Sequence, residues 1–342
     1  MPVTLVVPEA VNIRKVEQEK LPYLLMNDPS FDLFPIEDVA EAKVVWEQKD
    51  NYTGLLPARG VGESYSAVKR VGTNQFEADP GRYGGYIDYT EKDFESIRKT
   101  GTANDILDLT SLIYEGQDQL LSLRLDRQRY VIWTLLTSGI FAVLGPQGQT
   151  LHKDQFNFQT ATAAVVWSTV ATATPLVDFR NIKLKGRGKG VSFGQTAKAF
   201  MNQKTMNYLL ANTNSADLFA KRIENGATVN SKSDLDQILL ANDLPTIVVY
   251  DDGYLDDTGT FQTFIPDGKV VIVGTRLNQA QLGIFAQTFN SNNPDMRPGP
   301  FTSIWDSGAS PDGSTARRVR LADGVNGGPA VWFPGAVVIL SC

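Results

Sequence analysis

The pattern of apolar and polar positions changes character several times along the chain. Residues 1 to about 50 alternate short apolar clusters with charges and prolines, as in Leu21-Pro22-Tyr23-Leu24-Leu25-Met26 and Phe31-Asp32-Leu33-Phe34-Pro35. Neither a sustained 3.6-residue period nor a clean alternation runs through them, which predicts an extended arm with one short helix. Such an arm has no core of its own, so its aromatic side chains need cover from the rest of the fold or from a neighbouring subunit. Between Asp50 and Thr90 the chain turns polar and glycine-rich. There Tyr65, Ala67, Lys69 and Val71 alternate with Ser64, Ser66, Val68 and Arg70, and Gly72-Thr73-Asn74 offers a turn before a second strand near Phe76. The expectation is a long two-stranded hairpin. An isolated hairpin is marginal in water, and long protrusions from compact domains usually serve a function, so this one is expected to pack on a partner.

From Asp105 to Thr137 the pattern becomes helical, with Ile106, Leu109, Ile113, Leu120, Leu123, Val131 and Leu135 near one face. Gly116 predicts a break or an irregular start, and Ser138-Gly139 supplies a stop. A strand at Ile140 to Leu144 and a turn at Gly145-Pro146-Gln147-Gly148 follow. Residues 160–180 mix Thr, Ala and Val around Trp167, ahead of Pro175 and a basic segment, Lys183 to Lys189. Ser192 to Leu210 predicts a helix capped by Ser192 or Thr196, with Ala197, Phe200, Met201 and Leu209 at helical spacing. Shorter helices are expected at Ser215 to Glu224 and Ser233 to Ala241. Strands are expected at Thr246 to Tyr250, around Phe261 to Ile265, and at Lys269 to Gly274, with a hairpin tip at Asp251 to Thr260. After a proline-rich stretch, Ala336-Val337-Val338-Ile339-Leu340 predicts a buried final strand. The mixture is α+β.

Composition narrows the function. A chain of 342 residues that is 42% hydrophobic and 20% charged can bury a large core, which argues against disorder. No run approaches the roughly 20 apolar residues of a membrane span. The charged N-terminal stretch lacks a signal-peptide core, so folding in a cytosol and no membrane partner are expected. The net charge of −6 with pI near 5.0 argues against gripping nucleic acid by counterion release. The one cysteine, Cys342, excludes an intrachain disulfide; it reads as an inert terminal thiol, with an intermolecular disulfide as the lesser alternative.

Catalytic chemistry is thinly supplied. The one histidine, His152, lies in a polar stretch that suggests a surface loop, whereas Ser/His/Asp and Cys/His constellations and most zinc sites need a positioned imidazole or several soft ligands. Lys185-Gly186-Arg187-Gly188-Lys189-Gly190 could bring backbone N–H groups and cations to a phosphate, but it lacks the Gly-Lys-Ser/Thr ending and the glycine spacing of the nucleotide fingerprints. Asp251, Asp252, Asp256 and Asp257 lack the spacing and terminal Glu of a calcium loop. Asp105 and Asp108 sit at a helix start, where negative charge is favourable without any acid/base role. No catalytic, cofactor-binding or metal-ligating residue is therefore assigned, no cofactor is expected, and the chain is read as not an enzyme.

Several segments together resemble the major capsid protein of lambda-like tailed bacteriophages, the capsid protein E family with the HK97-type fold. They are Thr246-Ile247-Val248-Val249-Tyr250, the tip containing Tyr254, and Phe264-Ile265-Pro266-Asp267-Gly268-Lys269-Val270-Val271-Ile272-Val273-Gly274, supported by Phe76 with Pro80-Gly81 and by the long helix. The resemblance implies an N-terminal arm (1–49), an extended E-loop hairpin (50–90), a P domain with a spine helix (91–179), an A domain (180–292), and a C-terminal segment returning to the P-domain sheet (293–342). It also implies self-assembly through hexamers and pentamers into an icosahedral head that encloses double-stranded DNA without sequence-specific binding. Scaffolding, portal and decoration proteins are the implied partners. The place is the virion capsid, assembled in the host bacterial cytoplasm. Covalent cross-linking, found in some relatives of this fold, needs Lys, Asn and Glu in trans, and no such set is assigned here. Two alternatives remain open at this point: an encapsulin-like cellular compartment shell, and a phosphate-binding enzyme using the Lys185 to Gly190 loop.

Overall fold

One 30-residue helix, about 45 Å long at 1.5 Å per residue, runs through the molecule and touches strands of both large sheets. The computed structural model describes residues 8–49, 55–65, 67, 73–90, 92–93, 109–144, 149–212, 232–256, 258–276, 281–293, 297–308 and 316–342. The chain begins with α1 (Ala10–Leu25), α2 (Pro29–Leu33), β1 (Ile36–Asp38), β2 (Val44–Lys49), β3 (Thr73–Ala78) and β4 (Gly81–Tyr89). The long helix is α3 (Leu109–Ser138), followed by β5 (Ile140–Leu144), β6 (Thr150–Gln155) and β7 (Gln159–Thr162). Then come α4 (Pro175–Lys185), β8 (Lys198–Met201), α5 (Gln203–Leu210), α6 (Lys232–Ala241), β9 (Thr246–Val249), β10 (Gly253–Leu255), β11 (Phe261–Thr263) and β12 (Lys269–Val273). The chain closes with β13 (Gly283–Gln287), β14 (Phe301–Asp306), β15 (Val319–Val331) and β16 (Val337–Ser341).

In one sheet the order is β7-β16-β12-β8-β9, with β7/β16 and β8/β9 parallel and the inner pairs antiparallel. Its central strand, Lys-Val-Val-Ile-Val, is buried along nearly its whole length, which is why it reads as an unbroken β-branched run. In the other sheet the 13-residue β15 pairs with β13 and β14 along one edge and with β4 along the other, and β1 lies parallel to β13. The last 50 residues thus feed both sheets, β15 one and β16 the other. The main apolar core is a single cluster reaching from Phe31 through Trp133, Trp167 and Phe200 to Leu340. A smaller cluster under α1 joins Ile13, Ile113, Leu120, Val319 and Leu321.

The α+β class holds, and so do the strands at 246–249, 269–273 and 337–341 and the helix at 232–241. Several local expectations need correction. The N-terminal segment is mainly helical: α1 has 16 residues and contains Pro22. Its buried side includes Ile13 and, one turn later, Glu17, so a charge sits where the apolar period calls for a hydrophobe. Strand β3 does contain Phe76, and its partner among the described residues is β2. Residues 66 and 68–72 lie outside the described residues, and Tyr65 is in no strand. Trp46 decides the pairing, because its ring stacks on Phe76 at 5.9 Å and on Phe156 at 5.6 Å and carries β2 onto the core.

The helix runs unbroken through Gly116. That glycine admits a neighbour: a Cβ there would lie 1.9 Å from the Tyr89 hydroxyl oxygen, which donates to the Leu112 carbonyl at 3.2 Å. Leu123 is exposed and does not share the buried face. Residues 105–108, and the expected helix at 215–224, lie outside the described residues, as does the turn at 145–148. Residues 192–202 are not helical. Their Phe200 and Met201 fill the sheet through β8, Ala197 is buried just before it, and α5 starts only where the Asn202 side chain accepts the Thr205 N–H at 2.8 Å. A helix unforeseen in the sequence, α4, has Pro175 in its first turn and Lys183 and Lys185 in its last. His152 lies on β6 and not on a loop.

Gly139 does stop α3. Its φ is +74°, and its N–H donates to the Leu135 carbonyl at 2.7 Å. A Cβ there would also meet the Phe156 carbonyl oxygen at 3.3 Å. Gly139→Ala is therefore expected to lower stability by about 1–2 kcal/mol, the cost of a left-handed residue with a side chain, as read from the urea midpoint at unchanged slope.

Candidate assembly surfaces

Strands β2 and β3 form a base for the segment between them, anchored by Val44 and Trp46 in the core and by Gln48, whose Nε2 donates to the Val331 carbonyl at 3.2 Å. Residues 55–65 of that segment expose Leu55 (95%), Leu56 (83%) and Tyr65 (82%), with Val61 fully open as well. The loop keeps its shape by its own contacts. Arg59 lies over the Tyr65 ring at 4.2 Å and donates to the Glu63 carbonyl at 2.8 Å, while the Gly60 N–H donates to the Glu63 carboxylate at 2.9 Å. The polar groups are thus used within the turn, and the apolar ones face outward. Scattered exposed hydrophobes are ordinary, but four on one short projecting turn form a surface that needs a partner.

A second such surface is the face of the β4-β15-β14 sheet that turns away from α3. Alternation along the strands directs Tyr89, Ile87, Val319, Leu321 and Ile304 toward α3 and the small cluster. Tyr86, Arg320 and Trp305 therefore stand on the opposite face. Tyr86 is 60% and Trp305 56% exposed. Arg320 lies over the Tyr86 ring at 4.1 Å and grips Asp88 through two hydrogen bonds of 2.6 and 2.7 Å. Gly84 and Gly324 leave a trough over which the Phe301 ring sits: a Cβ on Gly324 would lie 2.6 Å from that ring. Trp, Tyr and Arg gathered on one open face have the composition of an interface centre.

The segments with apparent chemistry resolve into structure. The Lys185 to Gly190 turn follows the C-terminal end of α4, where the helix dipole favours cations and repels phosphate. Lys183 is paired with Asp243 at 2.5 Å, and Lys185 donates to the Thr160 carbonyl at 3.0 Å. At the hairpin tip Asp256 accepts from the N–H groups of Thr258 and Thr260 and from the Thr258 hydroxyl, which holds its carboxyl down at about 2. Asp251 accepts the Gln203 N–H at 3.1 Å. Asp257, Asp105 and Asp108 lie outside the described residues. His152 touches Asp154 and is spent on β6. Among the described residues no group of three or more His, Cys, Asp or Glu is placed to hold a metal ion, and no helix is long and apolar enough to cross a membrane.

Cys342 is tied in by its N–H to the Gly268 carbonyl at 2.8 Å, and burial pushes its thiol up to about 12. Because the thiolate is the reactive form, native Cys342 is expected to react with iodoacetamide at pH 8 at least about 100-fold more slowly than in 6 M guanidinium. Equal rates would show that the thiol is open.

Exposed aromatic and apolar side chains gathered on two surfaces are what a subunit that packs against other protein molecules presents. The chain belongs to the family described as phage major capsid protein E, whose model matches residues 9–290. The fold is the HK97-type capsid fold. A protein assigned as the capsid protein of a prophage of E. coli CFT073 superposes with a TM-score of 0.55 at 13% identity, over 95% of this chain and 98% of its own. A phage-related protein of Bordetella bronchiseptica RB50 gives 0.51 at 11% identity, over 97% and 95%. No curated protein matches the sequence. The family role is structural, and its place is the capsid of the virion.

Proposed function

We propose that the chain is the head protein of a tailed double-stranded DNA phage, closing an icosahedral shell as hexamers and pentamers in the cytoplasm of its bacterial host. Scaffolding, portal and decoration proteins act with it in this reading, and the DNA is enclosed without a specific grip, in keeping with the net charge of −6. The proposed division is an arm (1–49), a hairpin (50–90), a spine-helix domain (91–179), a second domain (180–292) and a C-terminal segment (293–342). The observation that carries the reading is the 55–65 turn: it is shaped by its own hydrogen bonds and leaves Leu55, Leu56, Val61 and Tyr65 uncovered. Burying a few such side chains on each of many copies sums weak contacts over a closed symmetry.

Replacing residues 55–65 by a Gly-Ser bridge leaves β2 and β3 intact. The variant is expected to give a soluble, folded subunit that electron microscopy shows as single particles, under conditions where the full chain gives shells. Shells of normal size from the variant would remove the loop's role. A full chain that stays monomeric with every candidate scaffolding partner would remove the shell itself.

A further inference from the structure

Glu17 on α1, Arg124 on α3 and Asp323 on β15 meet where the three elements pack, with side chains only 5%, 5% and 2% exposed. One guanidinium nitrogen of Arg124 donates to both Asp323 oxygens, at 2.6 and 2.8 Å, and the other donates to Glu17. Thr302 on β14 donates to Asp323 at 3.3 Å, and Gln117 on α3 donates to Glu17 at 3.4 Å. Two other charged side chains of α1 serve different contacts, and Lys15 and Glu19 are exposed. Arg14 donates to the Asn293 side chain and the Pro300 carbonyl, and Lys20 pairs with Asp118 at the surface. Fully ionised, the cluster therefore holds two negative charges against one positive in a site closed to water.

An uncompensated buried charge is costly, and a carboxyl can escape the cost by keeping its proton. Desolvation, with the Glu17 charge adding and Arg124 opposing, pushes Asp323 up to about 6. Apart from this cluster, α1 is fastened by Ile13 in the small apolar cluster, by the half-buried Leu21 and Leu25 against the main core near its C-terminal end, and by the Arg14 and Lys20 contacts, so the buried charges are its one pH-sensitive attachment among these.

We propose that α1 is a releasable latch, docked tightly on α3 and β15 while the Glu17–Arg124–Asp323 cluster holds one proton and loosened when that proton leaves. Between the ordinary carboxyl value and about 6, docked Asp323 binds more protons than released Asp323. Docking therefore weakens as pH rises through that window and levels off above it. Release would uncover Ile13 and free a 16-residue helix to lie on another surface. The device is a property of the single chain and stands whether or not residues 55–65 drive assembly.

Hydrogen exchange of the full chain tests it, with rates corrected for the intrinsic effect of pH. Opening of residues 10–25 should rise about tenfold from pH 5 to pH 7.5, while α6, packed elsewhere, supplies the reference. Asp323→Asn mimics the protonated state, so residues 10–25 should then stay protected at both pH values. An equal pH response in α1 and α6, or an unchanged response in Asp323→Asn, would overturn the proposal. Should that variant not fold, Glu17→Gln decides the matter: it leaves Arg124 and Asp323 as a neutral pair, so the pH response should shrink several-fold, and a full response counts against the latch.

Discussion

Trp133→Ala is expected to cost about 3–5 kcal/mol of folding stability, the range for truncating a fully buried large aromatic. Trp133 is completely inaccessible, and its ring lies 4.9 Å from that of Tyr250 and 5.4 Å from that of Phe200. Its indole N–H donates to the Ser30 hydroxyl at 2.9 Å, and Ser30 lies 3.4 Å from the Tyr250 hydroxyl. One side chain on α3 therefore joins α2, β8 and the segment after β9. Removal opens a large cavity and leaves a buried serine hydroxyl short of a partner. Trp133→Phe separates the two terms: it keeps most of the packing but leaves Ser30 with only the long contact to Tyr250, and should cost roughly 1–3 kcal/mol. Urea unfolding followed by far-UV circular dichroism measures both variants. Equal losses would mean that the hydrogen bond, and not the ring volume, holds this junction.

Elements whose side chains are buried on both faces were easiest to read, because their composition alone marks them. Val270 to Val273 form a β-branched run with no face left polar, and Val337 to Leu340 repeat the pattern. The end of α3 was also legible, since the residue after Ser138 is a glycine and takes the positive φ that ends a helix. Misreadings arose where a short pattern had two solutions. Ala197, Phe200 and Met201 are spaced as on a helix, yet over so short a run that spacing means little: the last two lie in a four-residue strand, and the cap that starts the helix is Asn202. The partner of β3 depends on Trp46 meeting Phe156, a contact that no local rule supplies.

The assembly surfaces divide in the same way. The polar, glycine-rich composition of residues 50–72 marks a segment with few core residues, whereas Ala78 and Tyr89 further along are buried in the fold. Leu55, Leu56 and Val61, however, look unremarkable singly, and become a surface only when the Arg59–Glu63 turn points them outward. The open sheet face of Tyr86, Arg320 and Trp305 was invisible, because it depends on a register joining residues more than 200 positions apart. The same holds for Arg124, which in sequence is one basic residue among several on the later half of a helix; its partners lie 107 and 199 positions away.

That buried arginine gives the second large effect. Arg124→Leu is expected to destabilise the protein by about 3–5 kcal/mol at pH 7.5, because it strands two carboxylates in a site that excludes water. The sign of the pH dependence distinguishes this from a packing defect. Without Arg124 the one charge that opposes the upward push on Asp323 is gone, so the native carboxyl holds its proton to higher pH than the value of about 6 in the wild type. A group with a raised native value stabilises the fold most below its unfolded value and loses that contribution as pH rises through the native one. The variant should thus recover much of its deficit by pH 5, whereas a cavity would cost the same at both pH values. Replacing Glu17, Arg124 and Asp323 together by apolar residues of similar volume should restore most of the stability, since buried ion clusters often contribute no more than good packing does. It should also remove the pH response of α1. Stability regained without that loss would place the titrating group elsewhere, so the triple variant tests the energetics of the cluster and its service as a latch in a single molecule.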